Sequence, residues 1–346
     1  MKYTPSLVFT PSGIDACAYW RMWVTHINMP HSRFQFTEGQ PQMNEISEQD
    51  VLMVQRMFSQ NNVAYLKMAR EHGIKIIYDL DDNIWTMPKY NPATGIFKKE
   101  DIQKGLVACA EWADIITCST KQLQNEIVNN WGWLKNVASK KQIPVMHIDN
   151  AVDTKLFPPP VFDRDDGMVR IGWGGSNTHA GDIDHVWNLL PAIVEEFPNV
   201  ELEFIGHLPP KQLIGHPRVK IREWVHISEF TKRYATWNWD IVLAPLEQHK
   251  FNRAKSSIKM QEAAAIKKPC LAENIAPYKY FASFKPELKW LLCDDYDWDK
   301  KLHALIKSKD LRREFGEMSY ANLIENFNIN TRVAQWTEAC HIAFVA

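Results

Sequence analysis

The chain predicts an α/β protein of two doubly wound domains that face each other across a cleft. Three observations support this. Its 346 residues suffice for two domains of ordinary size. Short β-branched or apolar runs alternate with longer helical patterns through the first half. A proline-rich break then interrupts the alternation, which restarts behind it. Ligands of open parallel sheets bind outside the C-terminal strand ends, so facing domains would converge their loops on the gap between them.

The elements follow in order. Leu7 to Phe9 reads as the first strand, Pro11-Ser12-Gly13 as a turn, and Asp15 to His26 as a helix. Val51 to Val54 is strand, Ser59 to His72 helix with Gly73 as its C-cap, and Ile74 to Tyr78 strand. Ala113 to Cys118 and Pro144 to Ile148 flank a helix from Thr120 to Asn130. Phe157 to Gly167, with three prolines and an acidic run, has no periodicity and reads as a linker. Behind it come strand Val169 to Trp173, helix Ile183 to Phe197, strands Glu201 to Ile205 and Val219 to Ile221, helix Ser228 to Trp237 and strand Asp240 to Ala244. A final alanine-rich helix after Ser257 is stopped by Lys268-Pro269.

Composition narrows the function classes. An apolar content of 45% and a charged content of 23% are those of a soluble globular protein. No apolar run approaches a membrane span and no signal peptide is recognisable, so a cytoplasmic location without integral membrane contact is expected. Six scattered cysteines without a C-x-x-C pair argue against a zinc site or a disulfide scaffold. A net charge of -1 argues against binding nucleic acid by electrostatics alone.

Four loops at predicted C-terminal strand ends carry suitable chemistry. The first, Pro11 to Arg21, offers Gly13 and Arg21, although a salt bridge is the stronger reading of Arg21. The second holds Asp79, Asp81 and Asp82, three carboxylates that raise at least one pKa unless a cation, donors or solvent intervene. The third, with Gly174, Gly175, Ser176 and His179, lets a phosphate or sugar approach the backbone closely. It is not a dinucleotide fingerprint. The fourth runs through Asn252, Arg253, Lys255, Ser256, Lys259 and Glu262. Lysines opening a helix oppose its macrodipole and favour a phosphate, and Glu262 two turns deeper could accept from a pair of ribose hydroxyls. Helical spacing predicts Lys255, Lys259 and Glu262 on one face.

These residues resemble a known family, the retaining GT-B glycosyltransferases of the large family-4 group, of a bacterial or phage type. The likeness covers essentially the whole chain. It is carried by Ile148-Asp149-Asn150-Ala151-Val152-Asp153 with Phe157, by Leu202-Glu203-Phe204-Ile205-Gly206, by Lys259-Met260-Gln261-Glu262-Ala263-Ala264-Ala265 through Lys268-Pro269, and by Leu311-Arg312-Arg313 through Asn326-Phe327 to Trp336. Two departures stand out. Ala254 occupies the place of the glutamate that usually contacts the sugar, and the family's Arg and Lys phosphate clamp is missing between Gly172 and Asp182.

The resemblance implies a Rossmann-like acceptor-side domain over residues 1–160, a donor domain over 161–320, and a C-terminal helix over 321–346 that packs back on the first domain. It implies transfer of a sugar from a nucleotide-diphosphate sugar to an acceptor hydroxyl with retention, without a metal. Glu262 would hold the donor ribose, Lys255, Ser256 and Lys259 the diphosphate, and Asp81 or Asp82 the acceptor hydroxyl; Lys255 is also expected to act in catalysis. Relatives of this type modify surface polysaccharides, lipids or hydroxymethylated DNA bases. The acceptor is therefore a carbohydrate, a small molecule or modified DNA. A phage-encoded chain would act in host cytoplasm. A noncatalytic sugar- or nucleotide-binding module, an epimerase and a phosphorylase are the rivals on the same scaffold.

Overall fold

Two six-stranded sheets, parallel in every pairing, form the frame of the computed structural model. Residues 4–13, 15–35, 42–130, 141–159, 164, 166–179 and 181–346 are described. The first sheet comprises β1 (Leu7–Thr10), β2 (Ser32–Phe34), β3 (Val51–Gln55), β4 (Lys75–Leu80), β5 (Ile115–Cys118) and β6 (Val145–His147), in the order β2-β1-β3-β4-β5-β6. The second comprises β7 (Val169–Gly174), β8 (Val200–Ile205), β9 (Val219–Arg222), β10 (Ile241–Ala244), β11 (Cys270–Glu273) and β12 (Leu292–Cys293), in the order β12-β11-β10-β7-β8-β9. Strand order reverses between β1 and β3 and between β7 and β10. Those are the two places where the loops leave a crevice for a ligand.

Central strands are mostly apolar, in keeping with burial on both faces: every residue of β1, β3, β5, β10 and β11 is buried. Gly172 shows how tightly the second sheet is covered. A Cβ there would lie 1.9 Å from the Trp239 ring, whose indole N–H donates to buried Glu203 at 2.9 Å.

The structure revises some predicted elements. The helix expected from Asp15 to His26 begins at Ala16, capped by Asp15, and widens to a π-turn over Tyr19–Trp23. The helix expected from Ile183 to Phe197 is two, Asp184–Trp187 and Leu190–Glu196, because Pro191 tolerates only the first turn of a helix. Strands β2, β11 and β12 were not anticipated; they are short or lie in segments without alternation. Of the predicted linker, residues 160–163 and 165 lie outside the described residues.

The chain ends in two long helices. Lys309–Asn326 lies on the second domain, where a Cβ on Gly316 would come within 2.1 Å of the Lys267 carbonyl oxygen. After a break at Asn328, Ile329–Val345 crosses to the first sheet, and Trp336, Ala339, Cys340 and Ala343 join the core of Leu7, Met53, Ile77 and Ile115. The domains are in direct contact. Thr120 Oγ1 donates to the Ala254 carbonyl at 2.8 Å, Tyr90 Oη to Asp182 at 2.9 Å, and Asn150 Nδ2 to Ser256 Oγ at 3.2 Å. Tyr19 and Trp20 sit in the second domain's core, and Phe251 and Ala254 in the first domain's. Among the described residues no helix is long and apolar enough to cross a membrane.

Candidate active site

The acidic loop after β4 is held by two buried arginines. Asp79, 0% exposed, accepts from Arg21 at 2.8 Å and from Thr117 Oγ1 at 2.6 Å. Arg21 also donates to the Ile148 carbonyl and lies 4.8 Å above the Trp336 ring. Its guanidinium is therefore used up inside the protein, and the donor-binding role expected for Arg21 is corrected to a structural one. Asp81 faces Arg56 Nε at 3.1 Å, and Arg56 also binds Ser12 Oγ at 3.1 Å. Asp82 has no arginine of its own. Burial and the neighbouring Asp81 push its pKa up to about 6, with Lys255 and Arg56 offsetting part of the rise. Two of the three clustered carboxylates are thus paired with arginines, although burial still raises the Asp79 pKa, with Arg21 and Thr117 acting against it.

Lys255 and Lys259 face this loop from the second domain. Lys255 precedes the helix, whose N-cap is Ser257 and whose span is Ile258–Ala265, so it is not on a helical face with Lys259 and Glu262 as the spacing suggested. It is placed instead by its Nζ lying 4.9 Å over the Phe251 ring. Lys259 donates to the Gly174 carbonyl and lies 5.6 Å over Trp173. Burial lowers its pKa, against the attraction of Glu262. Glu262 is pushed up to about 7 by burial, with Lys259 and a hydrogen bond from Trp20 acting the other way. Desolvation thus shifts a buried acid and base three residues apart each toward its neutral form.

His179 and Asp182 make the third unit. His179 Nδ1 lies 2.7 Å from Asp182, which also accepts from Tyr90 and from Asn252 Nδ2 at 2.6 Å. Burial and then Lys255 lower the His179 pKa to about 3; Asp182, despite burial, is held at about 2 by the His179 hydrogen bond. The pair is a neutral imidazole donating from Nδ1 to a carboxylate, which leaves Nε2 as an acceptor.

These groups meet in one interdomain cavity of about 160 Å³, bounded by Cys17, Asp81 and Asp82 on one side and His179, Lys255 and Lys259 on the other. Beside it lies a largely apolar pocket of about 190 Å³, lined by Gly174, Gly175, Ser176, Trp224, Phe230 and Glu262 among others. The two share Trp20, His179 and Lys259 and so form one continuous cleft. Gly174, Gly175, Ser176, His179, Lys255, Ser256, Lys259, Glu262, Asp81 and Asp82 all border it.

Two further expectations, Asn252 and Gly13, are corrected. Asn252 is 0% exposed and serves the Asp182 hub, not the cleft surface. Arg253 lines an adjoining crevice with Thr120, Gln122 and Tyr280, which meets the cleft at Asn150, Lys255 and Ser256. Gly13 borders neither pocket, and a Cβ there would meet nothing within 4 Å, so no close approach requires glycine. Ser257 is turned inward, its hydroxyl accepting from Gln261 at 3.1 Å.

Sequence reasoning missed Trp20, Arg56 and Asp182. Arg56 had a positional signal, since it follows β3 where strand order reverses; Trp20 and Asp182 had none beyond proximity to flagged residues. Cys17, Asp81 and Asp82 bring potential ligand atoms within 4.8 Å of one another. Arg56 against Asp81, with the charge of Lys255 acting on Asp82, opposes a cation there.

Two facing Rossmann-like domains of this topology are the GT-B fold. The chain matches no protein-family model and no curated protein sequence. Among solved structures it is similar to a glycosyltransferase from Rickettsia africae ESF-5, with a TM-score of 0.64 and 11% identity over 99% of both chains. It is similar to a mutant of S. aureus TarM in complex with fondaparinux, alpha-GlcNAc-glycerol and UDP, with a TM-score of 0.56 and 14% identity over 86% of this chain. The match spans 55% of that longer chain. It is also similar to a putative UDP-N-acetylglucosamine 2-epimerase from Listeria monocytogenes, with a TM-score of 0.56 and 13% identity over 99% of this chain and 97% of that one.

Proposed function

We propose that the protein transfers a sugar from a nucleotide-diphosphate sugar to an acceptor hydroxyl with retention at the anomeric carbon, without a metal. The observation that carries this reading is the meeting of Asp82, His179, Lys255 and Lys259 in one cavity that opens onto an aromatic pocket ending at Glu262. In this reading the base enters the aromatic pocket, Glu262 accepts from the ribose hydroxyls, and the diphosphate lies against Lys255, Lys259 and the backbone of the Gly174 loop. The bond from the anomeric carbon to the diphosphate oxygen breaks while the acceptor oxygen bonds to the same face. Negative charge develops on the leaving diphosphate, where preorganised cations stabilise it. Asp82 takes the acceptor proton, because Asp81 is already paired with Arg56 and a carboxylate whose pKa lies near 6 is ionised yet basic at neutral pH. Neutral His179 accepts from a sugar hydroxyl.

Thermal stabilisation by UDP, GDP, ADP, TDP and CMP names the base, since a ligand at 100 times its dissociation constant adds about 2.7 kcal/mol. Product analysis with the matching sugar nucleotide then reads the activity. A retained linkage on an acceptor supports transfer; free epimerised sugar supports the epimerase; a phosphate requirement supports the phosphorylase. Binding with no turnover under any acceptor supports a noncatalytic module, for which Ala254 in place of the glutamate is the main argument. Hydroxymethylated against unmodified DNA as acceptor tests the phage-type alternative.

A further inference from the structure

We propose, on the nucleotide-sugar reading of the cleft given above, that Trp224 is the residue on which the donor's nucleobase stacks, its indole held at the rim of the aromatic pocket by Gly206.

Trp224 follows β9 and precedes the helix Ile227–Thr236, at the C-terminal strand ends where ligands of a parallel sheet gather. It lines the aromatic pocket yet is 63% exposed, whereas Trp20, Trp237 and Trp239 of the same pocket are 4%, 5% and 1% exposed. Those three rings are already engaged. Trp20 stacks at 11° on Phe157 with centroids 6.4 Å apart, and Trp237 lies 5.0 Å from Trp239. Among the described residues the Trp224 ring pairs with no other aromatic ring. A flat heterocycle laid on it would remove that indole face from water and gain the offset stacking that aromatic pairs prefer.

An exposed tryptophan alone would mean little; the way this one is seated means more. Gly206 has a φ of +79°, in the left-handed region, and a Cβ there would lie 2.6 Å from the Trp224 ring and 2.7 Å from the Gly175 carbonyl oxygen. Glycine is therefore required twice, for the backbone turn and for the ring that lies against it. Gly175 is tied to the same corner, its N–H donating to the Ile205 carbonyl at 3.0 Å. The indole thus sits beside the glycine loop to which the proposed reaction assigns the diphosphate. A ring seated before the ligand arrives loses little freedom on binding.

The chemistry of the pocket divides in the same sense. Ser176, His179, Lys259 and Glu262 supply polar groups, and Trp224, Val225, Ile227 and Phe230 form an apolar part. The diphosphate and ribose match the first set, which leaves the base for the second. Among the described residues the main chain of Trp224 and Val225 enters no backbone–backbone hydrogen bond, so donors and acceptors remain beside the ring for the polar edge of a base. Every base has a π face, so the indole supplies affinity without choosing among bases.

The test is titration calorimetry of the full chain with UDP, GDP, ADP, TDP and CMP, followed by variants with whichever nucleotide binds wild type most tightly. Trp224→Ala is expected to weaken that nucleotide about tenfold or more with the melting temperature retained, and Trp224→Phe to keep most of the affinity. Nucleotide should also quench tryptophan fluorescence in wild type, with a share of the quench missing from Trp224→Phe. Unchanged affinity in Trp224→Ala, or equal quenching in wild type and Trp224→Phe, overturns the stacking role and leaves the nucleotide-sugar reading standing. No binding of any of the five nucleotides overturns both. Unchanged affinity accompanied by conversion of a dimer to a monomer in Trp224→Ala overturns stacking in favour of a contact between copies of the chain.

Discussion

The two domains meet the cleft with opposite charge and manage that charge differently. The first contributes Asp79, Asp81 and Asp82, and supplies its own counterions from Arg21 and Arg56 to Asp79 and Asp81, leaving Asp82 without an arginine partner and with its pKa pushed up to about 6. The second contributes Lys255 and Lys259, and meets them with Glu262 and the His179–Asp182 pair, whose imidazole is neutral. The acidic side is thus largely balanced by its own arginines, while the basic side keeps cationic surface for an anion. In the proposed reaction the first domain holds a proton acceptor and the second a landing place for the leaving diphosphate.

Breaking the acidic side's internal balance should have the largest effect. Asp79→Ala leaves Arg21 charged and buried without its partner, and the expected loss is about 3–5 kcal/mol in urea denaturation. Asp82→Ala removes an unfavourably buried charge and should cost no stability beyond about 1 kcal/mol, though it should slow transfer. Equal losses for the two would erase the distinction between scaffold and site carboxylates.

Next comes Lys255→Ala, expected to lower turnover about 10²–10³-fold, or about 3–4 kcal/mol of transition-state stabilisation, with the melting temperature retained. Wild-type kinetics from that variant would overturn its assignment.

Glu262 sharpens the comparison through pH. Its folded pKa of about 7 lies above its ordinary 4.5, so its contribution to stability is fully present below pH 4.5 and lost as pH rises toward 7. His179 acts in the opposite direction: lowered from 6.5 to about 3, it withdraws stability as pH falls below 6.5. In wild type the two partly cancel between pH 4.5 and 6.5. Glu262→Gln should uncover the His179 slope and remove up to about 3 kcal/mol of opposing pH dependence, read by melting at fixed ionic strength. An unchanged profile would show that Glu262 titrates normally.

The smallest effect belongs to Arg253→Ala. Arg253 is exposed and faces the Thr120 crevice, so turnover should stay within about twofold of wild type and stability within about 0.5 kcal/mol. A large loss of activity would extend the working cleft into that crevice.

The site was legible where chemistry and strand ends coincide. The Asp79 to Asp82 loop follows an apolar strand, and the glycine loop and Lys255 to Glu262 follow two others, so topology brings them together once both sheets are parallel. Arg21 and Asn252 look much like their neighbours in the chain, yet one is locked to Asp79 and the other serves Asp182. A residue's type states what it could bind; the direction its backbone gives it selects which partner it meets.

The sequence by itself determined the two α/β domains, their strand ends and the collection of carboxylates and lysines there, because periodicity and composition are local properties of the chain. Only the tertiary structure decided the rest. The pairing of Arg56 with Asp81, the neutral state of His179 and the depth of Glu262 depend on distances between residues far apart in the chain and on the water excluded when they meet. Burial and charge proximity are set by packing, and they turn the same side chains into scaffold, acid, base or anion site.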